Sequence, residues 1–121
     1  MNVETKLKKL KHLKKGWFQK DSGVPIDQEL LRLLFTKLKS DKNAFLCLRS
    51  GSIFPLLDSG ISIVWETTFI TTTLECHGTK AIYIEKDHTD GLEYRDDLDL
   101  KLPNTWKALL DKVDFNTSYS I

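Results

Sequence analysis

Cysteine is scarce in this 121-residue chain, where Cys47 and Cys76 are the only two. Two thiols make neither a disulfide framework nor a four-ligand zinc site. Long apolar runs are absent as well, and no stretch approaches the ~20 residues needed to span a bilayer. The lysine-rich start lacks the apolar segment of a secretory leader. The expectation is therefore a soluble, cytoplasmic protein with no membrane partner. A glycine-rich phosphate loop, a Ser/His/Asp set and a pair of carboxylates on facing elements are also missing. No catalytic residue is assigned on this basis, no metal or cofactor is implied, and a non-enzymatic protein is expected.

What is present argues for a folded domain. Apolar residues make up 40% of the chain and aromatics 10%, which excludes a disordered chain. The length fits one domain over residues 1–121, large enough to bury roughly two-thirds of its unfolded surface without staples. A net charge of +1 conceals two opposed halves: residues 1–60 carry 12 basic and 6 acidic side chains, whereas residues 61–121 carry 6 and 11.

Val3, Leu7, Leu10, Leu13 and Trp17 recur every three or four residues, which predicts a basic amphipathic helix near residues 3–15, within segment 1–15. Gly16 stands where such a helix stops. The loop GWFQKDSGVP should be ordered, because Trp17 and Phe18 need burial, with Trp17 as a core anchor. A second helix follows Pro25, with Asp27 as its N-cap or a first-turn acid, and Leu30, Leu31, Leu33, Leu34, Phe35 and Leu38 spread round more than half its circumference. Ala44 to Leu48 fits either a short strand or an extra turn. From Ser52 the period changes to two, and SIFPLLDSGISIVWE reads as a hairpin whose Gly60 takes positive φ. Pro55 confines its first strand to the sheet edge, or delays the strand until after it.

FITTTLEC supplies a third strand, His77 a turn, and Ala81 to Ile84 a fourth strand, completing a helix-plus-meander core over residues 16–84. Residues 85–103 read as an acidic loop, or a hairpin with a solvated edge. After Pro103, Asn104 caps a helix over 104–114, with a frayed tail from Phe115 onward. The fold class is α+β: two N-terminal helices, an antiparallel β-meander of about four strands, and a C-terminal helix.

Gly16, Trp17, Gly23 and Pro25, followed by Pro55, Asp58, Gly60, Ile61 and Trp65, resemble the pattern of a group of small uncharacterised bacterial and phage-borne proteins. That group pairs a Gly-Trp-Asp-Gly-x-Gly-x-Pro-like loop with a Pro-x-x-Asp-Gly-Gly-Ile/Val-x-Leu-Glu-Trp-like hairpin. The likeness covers about residues 16–84. This chain departs from it at Phe18, Gln19, Ser59 and Val64. What the resemblance implies is a scaffold and a mobile-element, toxin–antitoxin or phage-conflict setting, with no activity attached.

Cys76-His77 and His88 invite a thiol–imidazole or metal reading. Adjacent strand residues, however, point to opposite faces, and Cys76 shares its parity with Ile70 and Leu74, which favours a buried structural thiol. The DHTDG segment offers oxygen donors without the spacing of a calcium loop. The strongest signal is the lysine run, since residues 1–20 hold seven lysines and one glutamate. Such a segment attracts phosphates or an acidic protein, although it contains no arginine for base readout.

The reading that follows is a protein-binding module, inhibitor, antitoxin or immunity-like, or a phage-encoded blocker, acting by surface occlusion. Its basic docking residues would be Lys6, Lys8, Lys9, Lys11, Lys14 and Lys15 with Phe18 as an anchor. Its acidic docking residues would be Asp87, Asp90, Glu93, Tyr94, Asp96, Asp97 and Asp99. The competing readings are a nucleic-acid binder using the lysine helix and, behind it, a metal-assisted or thiol enzyme. The opposed charges also allow a second copy of the chain as partner.

Overall fold

Asn2 starts the first helix by accepting from the Thr5 amide at 2.8 Å, and Glu4 sits in the first turn. The computed structural model describes residues 2–119. Helix α1 spans Val3–Lys11 and buries Val3, Leu7 and Leu10. It ends four residues before the expected boundary: His12 and Leu13 bond back three residues, to Lys9 and Leu10, which tightens and closes the last turn. Gly16 does not cap this helix. At φ +80 it donates to the Gly23 carbonyl and opens the following loop instead.

Helix α2 (Gln28–Ser40) is capped by Asp27, whose carboxylate accepts from the Glu29 amide. At Asp41 the chain leaves helical geometry, yet the same side chain accepts from the Asn43 and Ala44 amides and starts helix α3 (Lys42–Ser50). The ambiguous 44–48 segment is therefore helix. Ala44, Cys47 and Leu48 form its buried stripe. Three helices, rather than two, precede the sheet.

The sheet has five antiparallel strands in the order β1-β2-β3-β4-β5, a meander with β1 and β5 at its edges. They are β1 (Ser52–Pro55), β2 (Ile61–Glu66), β3 (Ile70–His77), β4 (Lys80–Asp87) and β5 (Glu93–Asp99). Pro55 lies on the edge strand, where its missing donor costs no ladder bond. The fifth strand corrects the acidic-loop reading of residues 85–103 and agrees with its alternative, a hairpin with a solvated edge. Along it, Tyr94, Asp96 and Leu98 pair with Glu85, Tyr83 and Ala81 on the face that meets the helices. Only Leu98 is apolar there among β5 residues other than Tyr94, so the strand shows almost no hydrophobic alternation.

One face of the sheet carries the core. Ile53, Ile61, Ile63, Trp65, Leu74, Cys76, Ala81 and Tyr83 are buried against Leu7, Leu30, Leu34, Leu48 and Trp106. Each fully buried aliphatic or aromatic side chain contributes roughly 1.5–3 kcal/mol of transfer free energy. The Trp65 indole fixes α3 on β2 by donating to the Cys47 carbonyl and Ser50 hydroxyl, both at 3.0 Å. The opposite face, with Val64, Thr73, Ile82 and Ile84, is only partly shielded.

In the β1–β2 turn the left-handed residue is Ser59 (φ 82), not Gly60. Gly60 is required for a different reason: a Cβ there would stand 2.6 Å from the Cys76 carbonyl oxygen. Helix α4 runs over Pro103–Tyr119, five residues beyond the expected end, and Pro103 rather than Asn104 opens it. Asn116 extends the buried stripe of Trp106, Leu109 and Val113 into the segment expected to fray. The last two residues of the tail lie outside the described residues. No helix among the described residues is long and apolar enough to cross a membrane.

Candidate binding surfaces

The two glycine-marked segments, some thirty residues apart in sequence, form one structure. Within the first, Gly16 donates to the Gly23 carbonyl at 2.8 Å and Phe18 to the Ser22 carbonyl at 2.8 Å. The Trp17 indole donates to the Val24 carbonyl at 2.7 Å, across the bare backbone of Gly23. A Cβ on Gly23 would lie 2.8 Å from that indole. Trp17 is thus the half-buried strut of its own loop and not a core anchor. The loop then joins the β1–β2 turn, with Val24 donating to the Leu57 carbonyl at 3.1 Å and Asp27 to the Ser59 carbonyl at 2.9 Å.

This paired-loop platform displays apolar side chains. Phe18 is 48% exposed, Val24 40% and Leu57 47%, and the Phe18 ring meets Trp17 edge-on at 5.7 Å. The expectation that Phe18 needs burial is corrected, while its place as an exposed anchor candidate is kept.

Of the six lysines singled out, Lys8, Lys9, Lys11, Lys14 and Lys15 are exposed and Lys6 is partly covered. Lys8 pairs with Glu4 at 3.6 Å, Lys14 and Lys15 sit past the helix end, and Lys11 faces helix α2. There it lines a groove together with Arg32 and Lys39. Sequence reasoning missed these two cations, although Arg32, Thr36 and Lys39 follow the spacing of one helix face.

The acidic residues also divide. Asp87 and Asp90 build the β4–β5 turn: Asp87 accepts from the Thr89 amide and hydroxyl, which hold its carboxyl below the usual range, and Asp90 accepts from the Leu92 amide. With Glu93, Tyr94, Glu85 and Leu92 they surround a cavity of about 350 Å³. Glu93 pairs with Arg95 at 3.7 Å. Asp97 lies on the opposite face of the sheet, paired with Ile82. Asp99 binds Lys80 at 2.9 Å and accepts from the Lys101 amide, contacts that lower its pKa. Asp96 sits near Tyr83 and Lys112 at a separate small hollow.

A polar cluster that the sequence did not announce lies beneath Tyr94. The Asn116 amide, buried in α4, donates to Glu85 at 3.0 Å and to the Thr72 hydroxyl at 3.3 Å. The Tyr83 hydroxyl donates to the same Glu85 oxygen at 2.8 Å. Burial, and then the Glu85 carboxylate, push the Tyr83 phenol well above its ordinary range. Lys112 stands 4.8 Å from the centres of both the Tyr83 and Tyr94 rings. Each polar group therefore has a partner, as a structural network requires.

Neither thiol is poised for chemistry. Burial pushes Cys47 and Cys76 up to about 12, so both stay protonated near neutrality. Cys76 and His77 point to opposite faces, the first buried and the second exposed. His77 closes onto both oxygens of Asp58 at 3.1 Å, whereas His88 contacts the Thr71 hydroxyl at 2.6 Å and the Thr68 carbonyl at 3.1 Å. Among the described residues no group of three or more His, Cys, Asp or Glu is placed to hold a metal ion. No family model, curated protein or solved structure matches the chain.

Proposed function

We propose that this protein is a binding module that docks on a partner protein and occludes part of its surface, in the manner of an inhibitor, an antitoxin or immunity protein, or a phage-borne blocker. One observation supports this reading above the others. Phe18, Val24 and Leu57 are held open on a platform made by two separate loops, with backbone bonds inside and between them. Ordering the backbone beforehand lowers the entropy lost on docking, which is what an interaction surface needs. Exposed Lys14, Lys15 and Lys20 flank it in sequence. The complementary surface is therefore apolar with an acidic border, and charge sets the encounter rate while the apolar anchors set the residence time.

The test compares the wild type with a Phe18→Ser, Leu57→Ser variant as bait in a lysate of the native host. Both substitutions lie at exposed positions, so the variant should fold, and circular dichroism checks this. A stoichiometric protein partner retained by the wild type and lost by the variant supports the reading. Equal recovery with both baits, or recovery of nucleic acid alone, would sink it.

A further inference from the structure

Helices α1 and α2 meet along a groove of about 310 Å³ whose rim is cationic. Lys11 contributes from the end of α1, and Arg32 and Lys39 from α2, two turns apart on one helix face. No carboxylate lines this groove. None of the three cations takes part in an ion pair among the described residues, in contrast to Lys8, Lys80 and Arg95 elsewhere. The nearest acids along α2 point to other work: Asp27 caps the helix, and Glu29 lines the neighbouring groove on the far side of Arg32. Three like charges round one hollow repel one another, and an anion placed between them relieves that repulsion.

The remaining lining narrows the class of anion. The Arg32 guanidinium presents a planar fork that matches a phosphate bidentately, while the lysines act as point charges. Phe35 lies in the groove wall, partly buried, and offers a flat apolar surface. Gln28 uses its amide nitrogen on the Ile26 carbonyl at 3.1 Å, which orients its side chain and leaves the carbonyl oxygen as an acceptor. Thr36 adds a hydroxyl between the two cations of α2. The volume falls at the low end of the roughly 300–1,000 Å³ of small-molecule sites.

From this set we infer that the α1–α2 groove binds one nucleotide unit, its phosphate between Lys11, Arg32 and Lys39 and its base against Phe35. The unit is either a free mononucleotide or one residue of a single strand, because both present the same phosphate and ring. This site is separate from the Phe18 platform, and neither depends on the other.

Titration of the full chain, followed by amide chemical shifts and by heat, tests the assignment with three probes: adenosine monophosphate, a short single-stranded oligonucleotide, and inorganic phosphate. Saturable binding of either nucleotide probe is expected, with shifts at Leu31 and Phe35 and a weaker response to phosphate alone. Saturation by the mononucleotide identifies the free ligand; saturation by the oligonucleotide alone identifies the strand. An Arg32→Gln, Lys39→Gln variant should lose about tenfold or more in affinity, as expected for removing charge-assisted bonds. Lys107→Gln, at an exposed position on α4, should change nothing, and Phe18→Ser, Leu57→Ser should bind nucleotide normally. Both groove residues are exposed, and their unfolding curves confirm an intact fold. The assignment is overturned if neither nucleotide probe binds at millimolar concentration, or if the groove variant binds as the wild type does.

Discussion

At each end of the sheet a histidine bridges two neighbouring turns, but the two ends are built differently. At one end His77 reaches from the β3–β4 turn to the Asp58 carboxylate of the β1–β2 turn. The Gly16–Asp27 loop adds a third layer through Val24–Leu57 and Asp27–Ser59 backbone bonds. At the other end the His88 amide donates to the Phe69 carbonyl and its ring contacts Thr68 and Thr71, with no carboxylate in the contact. The first end is crowded and layered, whereas the β4–β5 turn is a single layer around Gly91. A rigid platform for apolar anchors therefore belongs at the first end, where backbone bonds join the loop to the β1–β2 turn and the His77–Asp58 contact ties in the β3–β4 turn.

The largest expected difference between the ends comes from adding one methyl group at each. Gly60→Ala brings a Cβ to 2.6 Å from the Cys76 carbonyl oxygen and 2.7 Å from the His77 ring. The ring can turn aside, but the carbonyl belongs to a paired strand and cannot. The expected loss is about 2–3 kcal/mol, of the kind overpacking produces. Gly91→Ala meets nothing within 4 Å and suffers only from its φ of +74, so the expected loss is about 1 kcal/mol. Urea unfolding of the two variants checks this ranking, and equal losses would show that the first end yields as readily as the second.

The open end draws its support from helix α4 instead. Asn116 supplies the amide that joins Thr72 and Glu85, and its loss leaves a partly buried carboxylate oxygen with one donor fewer. Asn116→Ala should cost about 2 kcal/mol, the scale of an unsatisfied buried polar group. It should also raise amide exchange along the last turns of α4 while leaving the Gly16–Asp27 loop protected. Faster exchange in that loop as well would mean that the ends are coupled through the core and do not stand independently.

The first end was far more legible than the second. Gly16, Trp17, Gly23, Pro25 and Gly60 punctuate the sequence because backbone conformation or close approach demands those residue types. The β1–β2 hairpin, the third and fourth strands and the α+β class follow directly from period and turn chemistry. Strand β5 could be read either as loop or as hairpin edge because its inward residues, Tyr94 and Asp96, face a lysine and a tyrosine rather than a hydrophobic layer. Helix α3 hid behind Asp41, which ends one helix and caps the next. Arg32 and Lys39 drew no reading of their own, because nothing local shows that Lys11 will be laid beside them. Asn116 looked like tail for the same reason: its partners lie 44 and 31 residues away.

The smallest effect separates the two histidine bridges by pH. The hydrogen bond from His77 holds the Asp58 carboxyl below its ordinary range. A carboxyl whose folded pKa is lowered binds protons less readily than in the unfolded chain. Its stabilisation is therefore complete above the unfolded value near 3.8 and disappears as pH falls through the lower folded value. Asp58 is largely exposed, with 69% of its side chain accessible, so screening limits the contribution to under about 0.5 kcal/mol. Asp58→Asn should remove that part of the acid sensitivity, flattening the stability profile below about pH 4 relative to the wild type. A matched change at the other end, Thr71→Val, breaks a contact between His88 and a neutral hydroxyl and should leave the Asp58 step in the profile intact. Amide shifts of Gly60 and His77 followed through the same range locate the step. If Asp58→Asn left the acid profile superimposable on the wild type, the His77 bridge would be a geometric contact without electrostatic weight, and the two ends would differ only in their layering.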